Sequence, residues 1–478
     1  MKAMVADPMH PEIRLDAFRI AEICGGRVFP EAATVAFRGA AYDSRLVRPG
    51  NLFVALRGAR TDGHRFIAAA VKAGAALVLM EKGQGATAQG EFGVPAIEVD
   101  NTLSALGKLA GWHRDRFTMP FVAVTGSNGK TTTKELTATT LSPAYRVFKT
   151  PGNLNSRIGL PISLFDLKDG FSAAVCELGM STRGEIDLLA RLVRPQYAVI
   201  TNIAPVHLET LQTVEEVACA KFELLDHLGS DGTALLCADD PILADRATAL
   251  GTRALTFGIH RPANLNAHNL RAVEEGTRFS IEPGLEVFLP LFGRHNVYNA
   301  LAALLVAREM GVDMLPAVAA LAVFRPTDHR SRIVHAGEVT IIDDAYNANP
   351  RAVEASLTAL AEYPAAQRRV AVLGDMLELG TESSRYHRQI GARIAELDID
   401  LVVTVGALAR EIGSAAQAEG FDQAGLLHFD LAGTCAQNAS MWSRPGDTIL
   451  VKGSRGVALE SVVTALQNRY EGTAKEES

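Results

Sequence analysis

Residues 121–135 read FVAVTGSNGKTTTKE, and few stretches constrain a fold more. An apolar, partly β-branched run ends in a turn of Gly126, Ser127, Asn128 and Gly129. Lys130, Thr131 and Thr132 then open a segment able to continue as a helix. A glycine-rich turn between strand and helix presents backbone N–H groups to an anion, helped by the helix dipole. Lys130 is placed to reach the terminal phosphates of a nucleotide, and the Thr131 hydroxyl to ligate Mg²⁺. The common form of the loop has a glycine where this chain has Val124, so this is the shorter GxxGKT version.

The rest of the chain reads as the setting for that turn. At 478 residues it is too long for one core, and about three domains are expected. With 48% hydrophobic and 21% charged residues it falls in the soluble globular class. A net charge of −7 argues against coating a polyanion, so no nucleic-acid partner is expected. Five scattered cysteines without a CxxC pair fit a reducing compartment, not a disulfide framework or a zinc site. The start, MKAMVADPMHPEIR, has prolines and acids where a signal peptide needs an apolar stretch, and no run of about 18 apolar residues offers a membrane span. A cytoplasmic α/β protein is expected.

Three segments follow. Residues 1–115 alternate short apolar strands (NLFVAL, ALVLM, AIEV) with alanine-rich helical stretches, as in a small α/β domain. HRDRFTMP, 113–120, reads as a linker. Residues 116–325 continue from the phosphate turn through SAAVCELG, YAVITNI and TALLCA, the pattern of a parallel sheet covered on both faces. GRHNVYNALAALLVAREMGV reads as one amphipathic helix, with another from about 314. A seam falls near FRPTDHRSR, 324–332. Residues 326–478 then form a third αβ alternation through VTIIDDA, RRVAVLGDM, LVVTVG and DTILVKGS, Rossmann-like but without GxGxxG. The tail EGTAKEES is expected to fray.

A phosphate turn does not distinguish a motor, a switch, a kinase and a ligase, so neighbouring residues must decide. Glu177 ends the run SAAVCE, either as a surface carboxylate or as a further Mg²⁺ ligand at the strand's carboxyl edge. His207 follows YAVITNI and reaches the same edge, or is an ordinary loop or core histidine. Lys221 lies within the stripe Val214, Val217, Ala218, Leu224, Leu225 and Leu228 at helical spacing. Such a lysine either snorkels to water or sits buried, where its neutral amine can react with CO₂ to give a carbamate, an anionic metal ligand.

These strings resemble the Mur ligases, ATP-dependent amide-bond-forming enzymes of peptidoglycan synthesis, over essentially the whole chain. TGSNGKTTTKE is similar to their phosphate loop, and TNIAPVHLE and AKFE to the segments carrying a magnesium-binding histidine and a carbamylated lysine. NLNSRIGLP (153–161), ELGMSTRGEI (177–186), DDAYNANP (343–350) and VLGDMLELG (372–380) resemble the member that adds a dipeptide. No DNPR, the mark of the member adding the third amino acid, occurs. YDSRLVRPGNLFVALRGARTDGH (42–64) resembles the family's uridine-nucleotide-binding start. Two strings depart from the pattern: LETLQTVEEVACAKFE lacks the usual glycine–serine, and SRGVALE differs from SRxxxME.

The resemblance implies three substrates: ATP, UDP-MurNAc-tripeptide and D-alanyl-D-alanine. It implies an acyl phosphate on the tripeptide's terminal carboxylate, attacked by the dipeptide amine. The catalytic residues would be Lys130, Glu177, His207 and Lys221. One Mg²⁺ would rest on Thr131 and Glu177, a second on His207 and carbamylated Lys221. Gly126, Ser127, Asn128, Gly129, Lys130, Thr131 and Thr132 would hold the phosphates, Asn296 the adenine and Arg330 the phosphates from the hinge. Asp343 or Asp344 would bind the ribose, with Tyr346, Asn347 and Asn349 shaping the mouth. Ser44 and Arg45 would contact the uridine diphosphate, and Asn153 and Asn155 the muramoyl or peptide part. A monomer that closes for chemistry is expected. The alternatives are another ligase of the superfamily, third-residue or folylpolyglutamate synthetase-like, and a non-catalytic nucleotide-binding regulator.

Overall fold

A computed structural model describes residues 10–29, 34–58, 61–83, 93–282, 284–327 and 329–473. Part of the tail expected to fray, from 474 on, lies outside them, as do the first nine residues. The helix Glu460–Thr473 runs up to that limit.

The protein is α/β throughout. Near the N-terminus a five-stranded sheet runs in the order Arg27–Phe29, Ala96–Val99, Leu77–Glu81, Leu52–Val54, Ala40–Ala41. Its pairs are parallel except the first, which is antiparallel. The central sheet has seven strands, all parallel: Leu265–Asn266, Ala254–Gly258, Thr233–Cys237, Tyr197–Ile200, Phe121–Thr125, Ala173–Glu177, Val147–Lys149. Its middle strands Phe121–Thr125 and Ala173–Glu177 are buried at every residue. That is why they read as continuous apolar runs without alternation. The last sheet orders Arg332–Ala336, Val339–Asp343, Asp447–Lys452, Arg368–Gly374, Leu401–Val405, Leu426–Phe429, parallel after one antiparallel edge pair.

Three sequence expectations are corrected. HRDRFTMP is not a free linker. His113 and Arg114 end the buried face of the helix Thr102–Arg114. His113 Nε2 bonds the Leu167 carbonyl at 3.0 Å, and Arg114 Nε donates to the Val193 carbonyl at 2.7 Å with its guanidinium 4.0 Å over the Phe121 ring. The Arg114 charge is spent on carbonyls of the central unit, while Asp115 and Arg116 are exposed.

The helix Arg294–Glu309 is not amphipathic. Residues 299–307 are all buried, because it packs on the sheet and alongside the phosphate-loop helix Lys130–Leu141 and the helix Met314–Ala322. Its alanines allow the close approach that lets Thr140 Oγ1 donate to the Ala303 carbonyl at 3.2 Å. Finally, an antiparallel meander of His268–Val273, Gly276–Glu282 and Leu285–Leu289 was not foreseen. The Glu-Glu-Gly run at 274–276 was the available turn signal.

Candidate active site

The strand Phe121–Thr125 has Ala173–Glu177 on one side and Tyr197–Ile200 on the other, so chain order reverses beside it. In open parallel sheets ligands bind beyond the carboxyl ends of strands at such a reversal. Those ends carry the phosphate turn, Glu177 and the segment 201–207. The last sheet brings its own strand ends opposite, with Asp344–Asn349, Glu378 and Lys452–Gly456. Between the two lies a cavity of about 850 Å³, whose lining includes residues from both.

The turn is built for close backbone approach. Gly126 has φ +145°, and a Cβ there would stand 1.9 Å from Thr201 Oγ1. Gly129 has φ +78° and caps the helix Lys130–Leu141, where a Cβ would stand 2.2 Å from Asn299 Oδ1. Only glycine meets both demands. Ser127 Oγ accepts from Ala204 N at 2.9 Å, and Thr201 Oγ1 donates to the Asn128 carbonyl at 2.5 Å, fastening the turn to the next strand's end. Ser127, Asn128, Gly129, Lys130, Thr131 and Thr132 line the cavity; Gly126 sits behind them, against Thr201. Lys130 Nζ folds back onto the carbonyls of Gly126 and Ser127 at 2.8 and 3.1 Å. Burial lowers its pKa, a shift that the Glu177 charge opposes.

Glu177 is no surface carboxylate. It is 1% exposed, accepts from Asn155 Nδ2 at 2.7 Å through Oε1, and has no hydrogen bond at Oε2. Buried polar atoms are rarely left unmatched, so this oxygen points to a missing partner. Lys134, wholly buried, lies 3.7 Å from it and donates to the carbonyls of Thr150 and Gly152. Asn153 and Asn155 also line the cavity.

His207 lines the cavity with φ +54°, and its Nδ1 bonds Glu378 Oε2 at 2.7 Å. Lys221 does not snorkel. It is 2% exposed in the helix Val214–Phe222, outside the cavity lining. Burial pushes its pKa well below the ordinary lysine value, and the Lys130 cation pushes the same way. Among the described residues no group of three His, Cys, Asp or Glu side chains gathers as a metal site.

The other side of the cavity separates the paired aspartates. Asp343 ends its strand turned onto His329, 2.9 Å away, and is absent from the lining; burial raises its pKa. Asp344 faces the cavity and takes Lys452 Nζ at 2.6 Å and Ser356 Oγ at 2.9 Å. Burial pushes its pKa up, but Lys452, with His295 and Ser356 acting the same way, holds it below the ordinary value. Adjacent residues at a strand end point to opposite sides, so Asp344 and not Asp343 faces the cavity. Arg330 stacks 3.8 Å over the Tyr346 ring, and both line the cavity with Asn347.

Asn296 also lines it, but it is not a helix cap. Gly293 holds the cap position, while Asn296 Nδ2 donates to the Phe292 carbonyl at 2.8 Å. Ser44 and Arg45 stand apart from the cavity, in a short turn where Asp43 holds the exposed Arg45 at 2.6 Å. Sequence reasoning missed Lys452, His295, Tyr298 and Glu378. Lys452 had a signal: it ends the apolar strand DTILVK just as Glu177 ends SAAVCE.

Contacts across the cavity fasten the two sides. Asn128 Nδ2 donates to Asn349 Oδ1 at 3.2 Å, and Arg351 Nη1 to the Ile203 carbonyl at 2.7 Å and Asp240 Oδ2 at 3.0 Å.

A phosphate turn, a buried carboxylate with an open oxygen and a second α/β sheet closed over both define a three-domain, nucleotide-using α/β enzyme. The chain belongs to the Mur ligase family, and with it to the ATP-dependent ligases. Residues 37–114 match the Mur ligase family catalytic domain, 124–307 the Mur ligase middle domain and 329–455 the Mur ligase glutamate ligase domain. It is 36% identical to the UDP-N-acetylmuramoyl-tripeptide–D-alanyl-D-alanine ligase of Bacillus subtilis, over 94% of this chain and 97% of that one. Its fold is similar to MurF from Acinetobacter baumannii, with a TM-score of 0.85 at 29% identity, covering 96% of this chain and 100% of that one. It is also similar to MurF ligase from Thermotoga maritima in complex with ADP, with a TM-score of 0.79 at 31% identity, covering 91% and 98%. No helix among the described residues is long and apolar enough to cross a membrane.

Proposed function

We propose that this protein uses ATP to join D-alanyl-D-alanine to the terminal carboxylate of UDP-MurNAc-tripeptide, giving UDP-MurNAc-pentapeptide for peptidoglycan. The observation that carries this reading is the 36% identity to the Bacillus subtilis enzyme over nearly its full length. It acts as a bacterial cytoplasmic monomer. Residues 1–115 bind the uridine nucleotide, with Ser44 and Arg45 in contact with its diphosphate. Residues 116–325 bind ATP, and 326–478 close over ATP and the dipeptide.

The chemical difficulty is bringing a γ-phosphate up to a carboxylate, two anions that repel. Backbone N–H groups of the turn, with Lys130, take the phosphate charge. Arg330 brings a further cation from the opposite side, while Lys452 neutralises Asp344, which is left to bind the ribose. Asn296 holds the adenine, and Asn153 the muramoyl or peptide part. The carboxylate takes the γ-phosphoryl group, ADP leaves, and the dipeptide amine then attacks the acyl carbon and expels phosphate.

Mg²⁺ fits the donors present. The open Glu177 Oε2 and the Thr131 hydroxyl are hard oxygen ligands for one ion, and His207 with a carbamate on Lys221 would hold a second. Carbamylation needs a neutral amine, and the burial that lowers the Lys221 pKa favours it. Bound there, Mg²⁺ would screen the phosphate–carboxylate repulsion.

The test is ADP release from ATP, Mg²⁺ and UDP-MurNAc-tripeptide, with and without D-alanyl-D-alanine. Dipeptide-dependent release with pentapeptide as product is expected. Release only with a single amino acid or a folate would overturn the substrate assignment. No turnover with any acceptor would favour a regulatory protein.

A further inference from the structure

One residue of the loop that follows the strand Arg368–Gly374 touches His207 once and its neighbour Leu208 once. Glu378 Oε2 lies 2.7 Å from His207 Nδ1, and the Glu378 carbonyl accepts from Leu208 N at 3.1 Å. Both residues hold a left-handed backbone, with φ +64° at Glu378 and +54° at His207. Non-glycine residues adopt that conformation at a cost, and it persists where surrounding structure imposes it. The loop bearing Glu378 is held from its own side, since Leu377 N donates to Ser454 Oγ at 2.9 Å and Met376 N to His387 Nε2 at 3.0 Å. A pair whose side chains are 25% and 61% exposed adds little to stability, so strain at both ends is not explained by stability alone.

An imidazole bonded to a carboxylate through Nδ1 carries its proton there and leaves Nε2 as the acceptor. We propose that Glu378 is a positioning residue for His207: its carboxylate, brought by the C-terminal domain, selects the Nδ1–H tautomer and leaves Nε2 free toward the cavity. The histidine is then competent only while that domain is docked. Domain closure and assembly of the central cation site become one event. The metal part of this inference rests on the ligand role proposed above for His207; the tautomer part does not.

Two readouts on the full chain, with a non-hydrolysable ATP analogue present, test it without measuring turnover. The first is ¹⁵N spectroscopy of the histidine side chains, with His207 assigned from the signal lost in His207→Ala. A dominant Nδ1–H pattern is expected in the parent protein and a mixed one in Glu378→Ala. Arg351→Glu, which sets a carboxylate against Asp240 and loosens docking, should give the same mixed pattern with Glu378 intact. An unchanged pattern in Glu378→Ala overturns the proposal, and an unchanged pattern in Arg351→Glu overturns its coupling to docking.

The second readout is Mn²⁺ affinity by electron paramagnetic resonance. Glu378→Ala should weaken it by about tenfold or more, as loss of a partner behind a histidine ligand generally does. If His207→Ala weakens Mn²⁺ binding and Glu378→Ala does not, the positioning role in the metal site is overturned. If His207→Ala itself has no effect, the ligand reading of His207 is what fails, and the tautomer pattern still decides what Glu378 does.

Discussion

The Lys134 ammonium lies 3.7 Å from the Glu177 carboxylate, and neither side chain reaches solvent. The same ammonium is 3.0 Å from Glu135 and donates to the carbonyls of Thr150 and Gly152. One buried cation therefore ties the phosphate-loop helix to the strand end that leads to Asn153 and Asn155.

Replacing Lys134 by Met keeps most of the volume and removes the charge. Glu177 then loses its nearest cation, Glu135 is left with Lys149 alone and the carbonyls of Thr150 and Gly152 lose this donor, and breaking a buried pair from one side costs about 3–5 kcal/mol. Denaturant unfolding should show a loss of that size. Lys134→Arg, too large for a wholly enclosed site, should recover only part of it.

Asn155 holds one Glu177 oxygen and leaves the other open. Asn155→Ala leaves a buried Glu177 oxygen without its donor, so it should cost about 1–3 kcal/mol of stability and raise the Mg²⁺ concentration needed for half-maximal rate by roughly 10–100-fold, the usual effect of losing a group behind a metal ligand. A magnesium titration of the steady-state rate checks this. A change confined to the apparent KM for the peptide substrate would place Asn155 on the substrate instead.

Lys221→Ala should lower kcat by roughly 100-fold or more, as expected when a ligand to a charge-neutralising cation is lost. A short carboxylic acid added to the variant should restore part of the rate by standing in for the carbamate. Failure of every small acid to rescue a variant that still folds would count against carbamylation.

His113 gives a pH prediction with a definite sign. Burial holds its pKa down to about 4, against 6.5 for the free group. Below 6.5 the unfolded chain binds the proton more readily than the folded one, so stability is complete above that pH and falls as pH drops toward 4. The full span corresponds to roughly 3 kcal/mol. Unfolding at pH 7 and at pH 4.5 should show a smaller difference in His113→Gln than in the parent protein.

Much of the site was legible because strand ends are legible. A run of apolar residues that stops at a glycine turn, a carboxylate or a histidine names both a buried strand and what stands at its end, as with Thr125, Glu177 and Ile200. The errors share one cause: sequence reports a residue's chemistry but not its surroundings. HRDRFTMP read as a linker because it is charged and ends in proline, yet Arg114 is buried against carbonyls. The alternative in which Lys221 snorkels failed because Lys221 lies on the buried face of its helix with Val217, Ala218 and Ala220, while Glu215 and Cys219 hold the exposed face.

By itself the sequence determined the phosphate turn, the parallel α/β architecture and most of the side chains that line the cavity between the two sheets. Local spacing and backbone preference suffice for those. The tertiary structure alone decided which of Asp343 and Asp344 faces the cavity, which Glu177 oxygen stays open, and that Glu378, 171 residues from His207, sits beside it. Those relationships depend on how two sheets pack against each other, and no short stretch of chain carries that information.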